Sequence, residues 1–282
     1  MKIIILLLLG LIIAVLVIAG QHRMIYYPRS YGGDPPLPAG GQALEYKTGQ
    51  GRQVAFYLPP AGEHDPVPER LWLMFGGNAS LALDWLELIN DFPDPGAGFL
   101  LVDYPGYGKC RGRAAPATIL ASAETALVYL AAQLDTEPAD LLRRLLVMGH
   151  SLGAAAALLY AENHPVKRIV LISPFTSLKE MAASMVGPVL ARTLLQNYDN
   201  RAALKKILQR RPVPPITIIH GRRDRVVPVE MGRELARISP EINYLEVENG
   251  DHNYILITAA EQILRAMLGA EKTDGRGRDD GT

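Results

Sequence analysis

The chain has 282 residues, of which 49% are apolar and 21% charged, and its 29 Lys and Arg residues balance 29 Asp and Glu residues. A chain of this length forms one large domain or two small ones, and either can bury a sizeable core. The lack of a basic excess excludes the electrostatic footprint of a nucleic-acid-binding protein. The single cysteine, Cys110, excludes an intramolecular disulfide framework and a cysteine-based zinc site.

The N-terminal segment is long and apolar. Residues 3–20 include no charged or strongly polar side chain, and as a helix they would extend about 27 Å, close to the hydrocarbon thickness of a bilayer. A cleaved signal peptide is the alternative, with a weak cleavage site at residues 17–19, but its apolar region usually has only roughly 7–15 residues. We therefore predict a transmembrane anchor over residues 1–23. Because long downstream domains translocate largely regardless of charge, we expect the domain outside the cytoplasm.

The rest of the chain has an alternating pattern of predicted strands and helices. Residues 24–41 are rich in Pro and Gly and are predicted to be a linker. Short apolar runs bounded by turn residues predict eight strands, at residues 43–47, 54–58, 71–75, 99–103, 145–148, 169–173, 216–220 and 244–247. Predicted helices follow from the third strand onward, at residues 81–91, 116–134, 152–163, 177–209, 230–238 and 253–268.

This order of elements predicts the fold class. The later strands lack polar alternation, which is typical of parallel strands buried on both faces. We predict an α/β domain over residues 42–270, with an eight-stranded, mostly parallel sheet flanked by helices. The tail at residues 271–282 has no apolar pattern and is predicted to be disordered.

A serine motif follows the fifth predicted strand. Residues 149–153 read Gly-His-Ser-Leu-Gly, which fits G-x-S-x-G, and an Ala- and Leu-rich stretch with high helix propensity follows. A strand, tight turn and helix with a central serine form a nucleophile elbow. The amide groups at the start of such a helix point at developing negative charge. We therefore predict that Ser151 is a nucleophile and that His150 shapes the elbow; an ordinary serine in a glycine-rich turn is the alternative.

A serine hydroxyl needs a base to take its proton and an acid to orient that base. In the chain order Ser, Asp, His, Asp224 follows the seventh predicted strand and His252 the eighth, at the sheet edge where parallel sheets place their sites. Asp251 is badly placed to orient the ring of its neighbour. The backbone N–H groups of Leu152 and Asn78 are predicted oxyanion-hole donors. A loop carboxylate, a surface histidine and a simple glycine turn are the structural alternatives.

These motifs, with others along the domain, make the chain resemble an α/β-hydrolase. The further matching motifs lie at residues 24–28, 77–79, 103–108, 173–178 and 198–200. The resemblance is to membrane-anchored, short-cap serine hydrolases that are monoacylglycerol-lipase-like, palmitoyl-thioesterase-like or serine-aminopeptidase-like. It implies the α/β-hydrolase fold, a short helical cap at about residues 174–215, and a structural role for Asp103. Two positions depart from the family: Gly76 replaces a histidine, which is expected to loosen the oxyanion loop, and Cys110 replaces a serine.

The resemblance implies a serine hydrolase that cleaves a carboxylic ester or thioester through an acyl-enzyme, with no metal and no organic cofactor. A peptidase of the same fold and a non-catalytic binding protein on this scaffold are the alternatives. We expect an acylated or small-molecule substrate, membrane attachment through residues 3–20, no nucleic acid and no obligate protein partner. Apolar residues of the predicted cap either line a pocket or pack on the sheet, namely Met181, Met185, Val189, Leu190 and Leu194.

Overall fold

The computed structural model describes residues 20–61, 66–90 and 92–269. Within these ranges, no helix combines the length and the hydropathy that a bilayer span requires. Residues 1–19 of the predicted anchor lie outside the described residues, whereas its last part, residues 20–23, is described and helical. The predicted tail at residues 271–282 also lies outside the described residues.

One mixed sheet of eight strands organises the domain, as predicted. Its spatial order is β1-β2-β4-β3-β5-β6-β7-β8. The β1–β2 and β2–β4 pairs are antiparallel, and every other pair is parallel. The strands are β1 Gln42–Thr48, β2 Gly51–Leu58, β3 Arg70–Phe75, β4 Ala97–Val102, β5 Leu145–His150, β6 Ile169–Ile172, β7 Ile216–Gly221 and β8 Ile242–Val247.

The central strands are buried on both faces because helices cover both sides of the sheet. Alternate residues of β3 show this, since Leu73 and Phe75 join one apolar cluster while Trp72 and Met74 join the other. Successive side chains of a strand point to opposite faces. The uninterrupted apolar run in the sequence is therefore the consequence of two cores, one on each side of the sheet.

Besides the helical segment at residues 20–25, ten α-helices and one 3₁₀ helix occur in the described part of the chain. The 3₁₀ helix is Ala82–Trp85, and the α-helices are α1 Leu86–Ile89, α2 Pro116–Gln133, α3 Pro138–Leu142, α4 Leu152–Asn163, α5 Leu178–Val186, α6 Pro188–Ala191, α7 Asn200–Ile207, α8 Val229–Ala236, α9 Ile255–Thr258 and α10 Ala260–Leu268. Helices α2, α4 and α7 contribute to one apolar cluster, and α10 contributes to the other.

The predicted helix at residues 177–209 is wrong, because three short helices occupy this stretch. Gly187 has φ +85°, a conformation that a glycine adopts at no steric cost, and it ends α5. Pro188 then starts α6, where its fixed φ and missing N–H are tolerated. Asp199 caps α7 by accepting a hydrogen bond from the Ala202 N–H at 2.9 Å. The predicted helix at residues 253–268 is likewise divided, into α9 and α10.

The beginning of the predicted linker packs into the domain. Residues 20–25 are helical, and both Ile25 and Tyr26 belong to the buried core. The Tyr26 hydroxyl donates to Oε1 of Gln196 at 3.0 Å, and the Tyr27 N–H donates to the Asn78 carbonyl at 3.0 Å. The Pro and Gly content of residues 24–41 does not reveal these apolar anchor points.

Candidate active site

Ser151 occupies the sharp turn between β5 and α4. Its backbone has φ 56° and ψ −116°, a conformation that residues with a side chain rarely adopt and that costs energy. Hydrogen bonds hold the turn on both sides, since the Ser151 N–H donates to the Ile172 carbonyl at 2.8 Å and the Ala154 N–H donates to the Ser151 carbonyl at 3.0 Å. The turn has the strand–serine–helix arrangement of the predicted nucleophile elbow.

Both glycines of the motif are required by close backbone approach. A Cβ atom on Gly149 would collide with the carbonyl oxygen of Gly153, and one on Gly153 would collide with the carbonyl oxygen of Phe75. Backbone atoms cannot give way as the end of a flexible side chain can. The spacing of the motif is therefore set by the packing of α4 against β5 and β3.

Gly149→Ala is expected to lower the free energy of unfolding by about 3 kcal/mol or more, because overpacking against backbone forces a shift of the main chain. Denaturant unfolding of the full chain measures this change. Gly33→Ala is the matched control, since a Cβ atom there meets nothing within 4 Å, and it should change stability very little. Equal losses in the two variants would contradict the packing argument.

A continuous hydrogen-bond chain joins three of the predicted site residues. Nδ1 of His252 lies 2.7 Å from Oδ2 of Asp224, and Nε2 of His252 lies 3.0 Å from Oγ of Ser151. An ionised carboxylate only accepts hydrogen bonds, so Nδ1 of His252 is protonated and donates a hydrogen bond to Asp224. Nε2 is then the acceptor for the Ser151 hydroxyl. All three residues are buried.

The Asp224 carboxylate is held in place and kept ionised. Its Oδ1 accepts hydrogen bonds from the N–H groups of Val226, at 2.9 Å, and Val227, at 2.8 Å. Burial alone would raise the pKa of Asp224, but hydrogen bonds to His220 and His252 hold this pKa well below its usual range. Asp224 therefore stays negative and can stabilise a positive charge on the adjacent imidazole.

Two further histidines, His150 and His220, support this arrangement through contacts that the sequence did not predict. Nε2 of His150 donates to the His252 carbonyl at 3.1 Å, and burial lowers the pKa of His150 to about 3, so its ring is neutral. Nε2 of His220 donates to the Val227 carbonyl at 3.0 Å and lies 3.5 Å from Oδ2 of Asp224. Their positions in the motif and at a strand end were the available sequence signals.

The residues that carry the two predicted oxyanion donors, Asn78 and Leu152, line the same cavity as Ser151. The Gly77 carbonyl accepts a hydrogen bond from the Ser80 N–H at 3.2 Å. This carbonyl and the Asn78 N–H belong to the same trans peptide group and point in opposite directions, so the hydrogen bond fixes the direction of the Asn78 N–H. The same reasoning applies to Leu152, because the Ser151 carbonyl is already engaged within α4. Hydrogen bonds to the two carbonyls therefore orient the two peptide N–H groups.

The loop that carries Asn78 is tied down despite the glycine at position 76. The Tyr104 hydroxyl donates to the Gly76 carbonyl, and the Tyr107 hydroxyl donates to the Asn78 carbonyl at 2.6 Å. A Cβ atom at Gly76 would lie only 2.9 Å from Cβ of Ser80, so this loop conformation favours glycine. The expected loosening is offset by two buried tyrosines.

Asp103 and Cys110 are buried, and each side chain accepts a hydrogen bond from a backbone N–H group. Oδ1 of Asp103 accepts from the Ala82 N–H at 2.8 Å, and burial raises the pKa of Asp103 to about 6. The Val54 N–H donates to Sγ of Cys110 at 3.2 Å, and burial raises the pKa of Cys110 to about 12, so the thiol is neutral and packed. Among the described residues, no group of three or more His, Cys, Asp or Glu side chains is arranged to hold a metal ion.

A cavity of about 330 Å³ opens beside Ser151. Most of its lining residues are apolar, and half of the lining comes from α5, α6 and the helix at residues 20–25. Of the apolar residues predicted for the cap, Met181, Leu190 and Leu194 line this cavity. Val189 does not line it and is 75% exposed, and the Met185 side chain lies outside what the structure describes.

Comparison with known proteins identifies the family. The model of the Alpha/beta hydrolase family matches residues 75–205. The uncharacterised protein Rv2307c of Mycobacterium tuberculosis H37Rv is 32% identical over 240 residues, which are 83% of this chain and 80% of that protein. The chain belongs to the α/β-hydrolase family.

Two further proteins are similar to this chain. The uncharacterised protein YfhR of Escherichia coli K12 is 24% identical over 238 residues, 82% of this chain and 79% of that protein. The solved structure of a Pyrococcus furiosus esterase superposes with a TM-score of 0.63 at 15% identity, covering 87% of this chain and 97% of that one. At this identity the likeness concerns the fold.

Proposed function

We propose that this protein is a serine hydrolase that cleaves a carboxylic ester or thioester through an acyl-enzyme intermediate. One observation carries the proposal: a strained serine is hydrogen-bonded to an imidazole that is itself hydrogen-bonded to a buried, ionised carboxylate. Such an arrangement activates a hydroxyl that is otherwise a poor nucleophile. Its position beside an apolar cavity supports an acyl group as the part of the substrate that binds there.

In the first half-reaction, Oγ of Ser151 attacks the carbonyl carbon of the substrate. Nε2 of His252 takes the hydroxyl proton, and Asp224 stabilises the resulting imidazolium. The carbonyl oxygen becomes an oxyanion, for which the N–H groups of Leu152 and Asn78 are the proposed donors. Collapse of the tetrahedral intermediate breaks the bond to the leaving alcohol or thiol, which receives the proton from His252.

In the second half-reaction, water replaces the leaving group. His252 takes a proton from the water as the oxygen attacks the acyl carbonyl, and the same N–H groups stabilise the second oxyanion. The bond between the acyl carbon and Oγ of Ser151 then breaks, and the serine oxygen takes the proton back. The carboxylic acid leaves and the enzyme returns to its starting state.

The apolar cavity predicts a preference for longer acyl chains. We expect kcat/KM on p-nitrophenyl esters to rise from acetyl through at least hexanoyl, because each buried methylene contributes about 0.8 kcal/mol, a factor of about four. Met181→Ser, within the cavity lining, should flatten this rise. Val189→Ser is the matched control, since Val189 lies outside the lining, and it should leave the chain-length dependence unchanged.

The same assay separates the proposed function from its alternatives. A sharp preference for acetyl would contradict the acyl-chain assignment. Thioesters of the same acyl series, measured alongside, decide between an alcohol and a thiol leaving group. Rapid release of amino acids from peptide amides with weak ester hydrolysis would favour a peptidase, and no turnover of any substrate would favour a non-catalytic scaffold.

We also propose that residues 3–20 anchor the protein in a membrane, with the domain outside the cytoplasm. The support is the apolar composition and length of this segment. An enzyme tethered in this way meets substrates held in the same membrane at a high effective concentration.

A further inference from the structure

Exposed apolar side chains surround the mouth of the Ser151 cavity. Monomeric soluble proteins scatter such residues singly, whereas a cluster marks a binding surface. Two of them, Val189 and Leu195, are 75% and 74% exposed. We call this cluster the apolar rim; it consists of Met24, Tyr27, Val189, Leu190, Leu195 and Val226.

Most residues of the apolar rim also belong to the lining of the cavity. Met24, Tyr27, Leu190 and Val226 line the cavity itself. Val189 is adjacent in sequence to Leu190 on α6. The rim therefore combines residues from the N-terminal helix, the cap and the loop that carries Asp224.

Arginines border the apolar rim. Arg23, Arg192 and Arg225 are exposed, and each is next in sequence to a residue of the cavity lining. In the described part of the chain, none of the three forms an ion pair, whereas Arg201 on α7 is bound by Glu180 and Glu234. Apolar side chains flanked by uncompensated arginines have the composition of a surface that binds anionic lipid.

The helix that contributes to this surface directly follows an apolar segment long enough to span a membrane. The apolar residues 3–20 run directly into the helix at residues 20–25, which carries Met24 of the rim. Gln21 of this helix clamps it to the cap, because Nε2 of Gln21 donates to the Thr193 carbonyl at 2.8 Å and the Leu195 N–H donates to Oε1 of Gln21 at 3.0 Å. An anchor ending at residue 20 would therefore hold the rim close to the lipid headgroups.

We propose that the apolar rim docks on an anionic lipid bilayer, so that the cavity beside Ser151 opens into the lipid surface and takes its substrate from it. The assignment of the docking surface is based on the exposed rim residues, the unpaired arginines and the sequence link to residues 3–20. Only the entry of an ester or thioester rests on the proposed function. A bilayer is the occupant favoured by the arginines, since folding residues 1–19 back over the rim would leave those charges unpaired.

Fluorophores at matched positions test the docking. Val189→Cys and the control Val128→Cys are each labelled with nitrobenzoxadiazole in the full chain; Val128 on α2 is also exposed, at 53%, and the native Cys110 is buried. Each protein is reconstituted into vesicles of phosphatidylglycerol and phosphatidylcholine, and retention through a carbonate wash selects the anchored molecules. Lipids with nitroxide on their acyl chains should quench the fluorophore at 189 at least about threefold more than that at 128.

Each other outcome overturns the proposal or a part of it. Equal quenching at the two positions would show a tethered domain that does not dock. An apolar emission at position 189 that acyl-chain nitroxides leave unquenched would show the rim covered by residues 1–19 or by a second copy. Unchanged quenching in pure phosphatidylcholine would remove the role of the arginines.

An activity measurement addresses the substrate half of the proposal. In Val189→Asp, hydrolysis of a sixteen-carbon acyl ester dispersed in the vesicles should fall by about tenfold, because a buried charge opposes insertion. Hydrolysis of a water-soluble butyrate ester should stay unchanged, and Val128→Asp should affect neither rate. Equal loss on both esters would contradict entry from lipid. If no ester is hydrolysed by the wild type, the proposed function fails while the quenching result still decides docking.

Discussion

Ser151→Ala is expected to abolish labelling by a fluorophosphonate probe and to lower kcat by about four to six orders of magnitude. The probe reacts only with an activated serine, and Oγ of Ser151 is the hydroxyl that lies 3.0 Å from Nε2 of His252. Probe labelling of the purified full chain, followed by initial rates on the best ester, measures both effects.

Ser184→Ala provides the control for this experiment. Ser184 is exposed on α5, where its hydroxyl donates to the Met181 carbonyl, and its replacement should leave labelling intact. Labelling of Ser151→Ala at the wild-type rate would mean that another residue is the nucleophile. A circular dichroism spectrum and an unfolding midpoint equal to those of the wild type are needed to exclude misfolding of the strained turn.

His252→Ala should lower kcat nearly as much as the loss of Ser151, because the hydroxyl then has no base. Asp224→Asn should cost roughly four orders of magnitude. The amide is neutral and can donate as well as accept, so it stabilises neither the required tautomer nor the imidazolium. Steady-state rates on one ester for the wild type and both variants, with folding checked by circular dichroism, measure these losses.

Two matched variants make this prediction specific. His164→Ala removes a histidine that contacts Glu124 at 2.7 Å and should leave turnover close to that of the wild type. Asp251→Asn tests the rival acid; Oδ1 of Asp251 accepts from the N–H groups of Asn253 and Tyr254, which an amide oxygen can also do. A loss of turnover in Asp251→Asn as large as in Asp224→Asn would transfer the orienting role to Asp251.

The strand pattern and the site loops are readable from sequence because their causes are local. A strand between two helical layers must be apolar on both faces, so β3 to β6 appear as short apolar runs. In a parallel sheet the loops after successive strands meet at one edge. The loops that follow β5, β7 and β8 therefore predict a meeting of Ser151, Asp224 and His252, and the structure brings these three side chains together.

Contacts between distant segments decided what the sequence left open. The break at Gly187 is an exception, because glycine and proline are the two poorest helix formers and the Gly-Pro pair at residues 187 and 188 is a local signal against one long helix over residues 177–209. The Tyr26 hydroxyl donates a hydrogen bond to Gln196, which is 170 residues away in sequence, and no local sequence pattern predicts this contact. His150 likewise contacts the carbonyl of His252 only after β5 and the last site loop have come together. Sequence periodicity reports the burial of a residue's own element, whereas the partner of a side chain is set by tertiary packing.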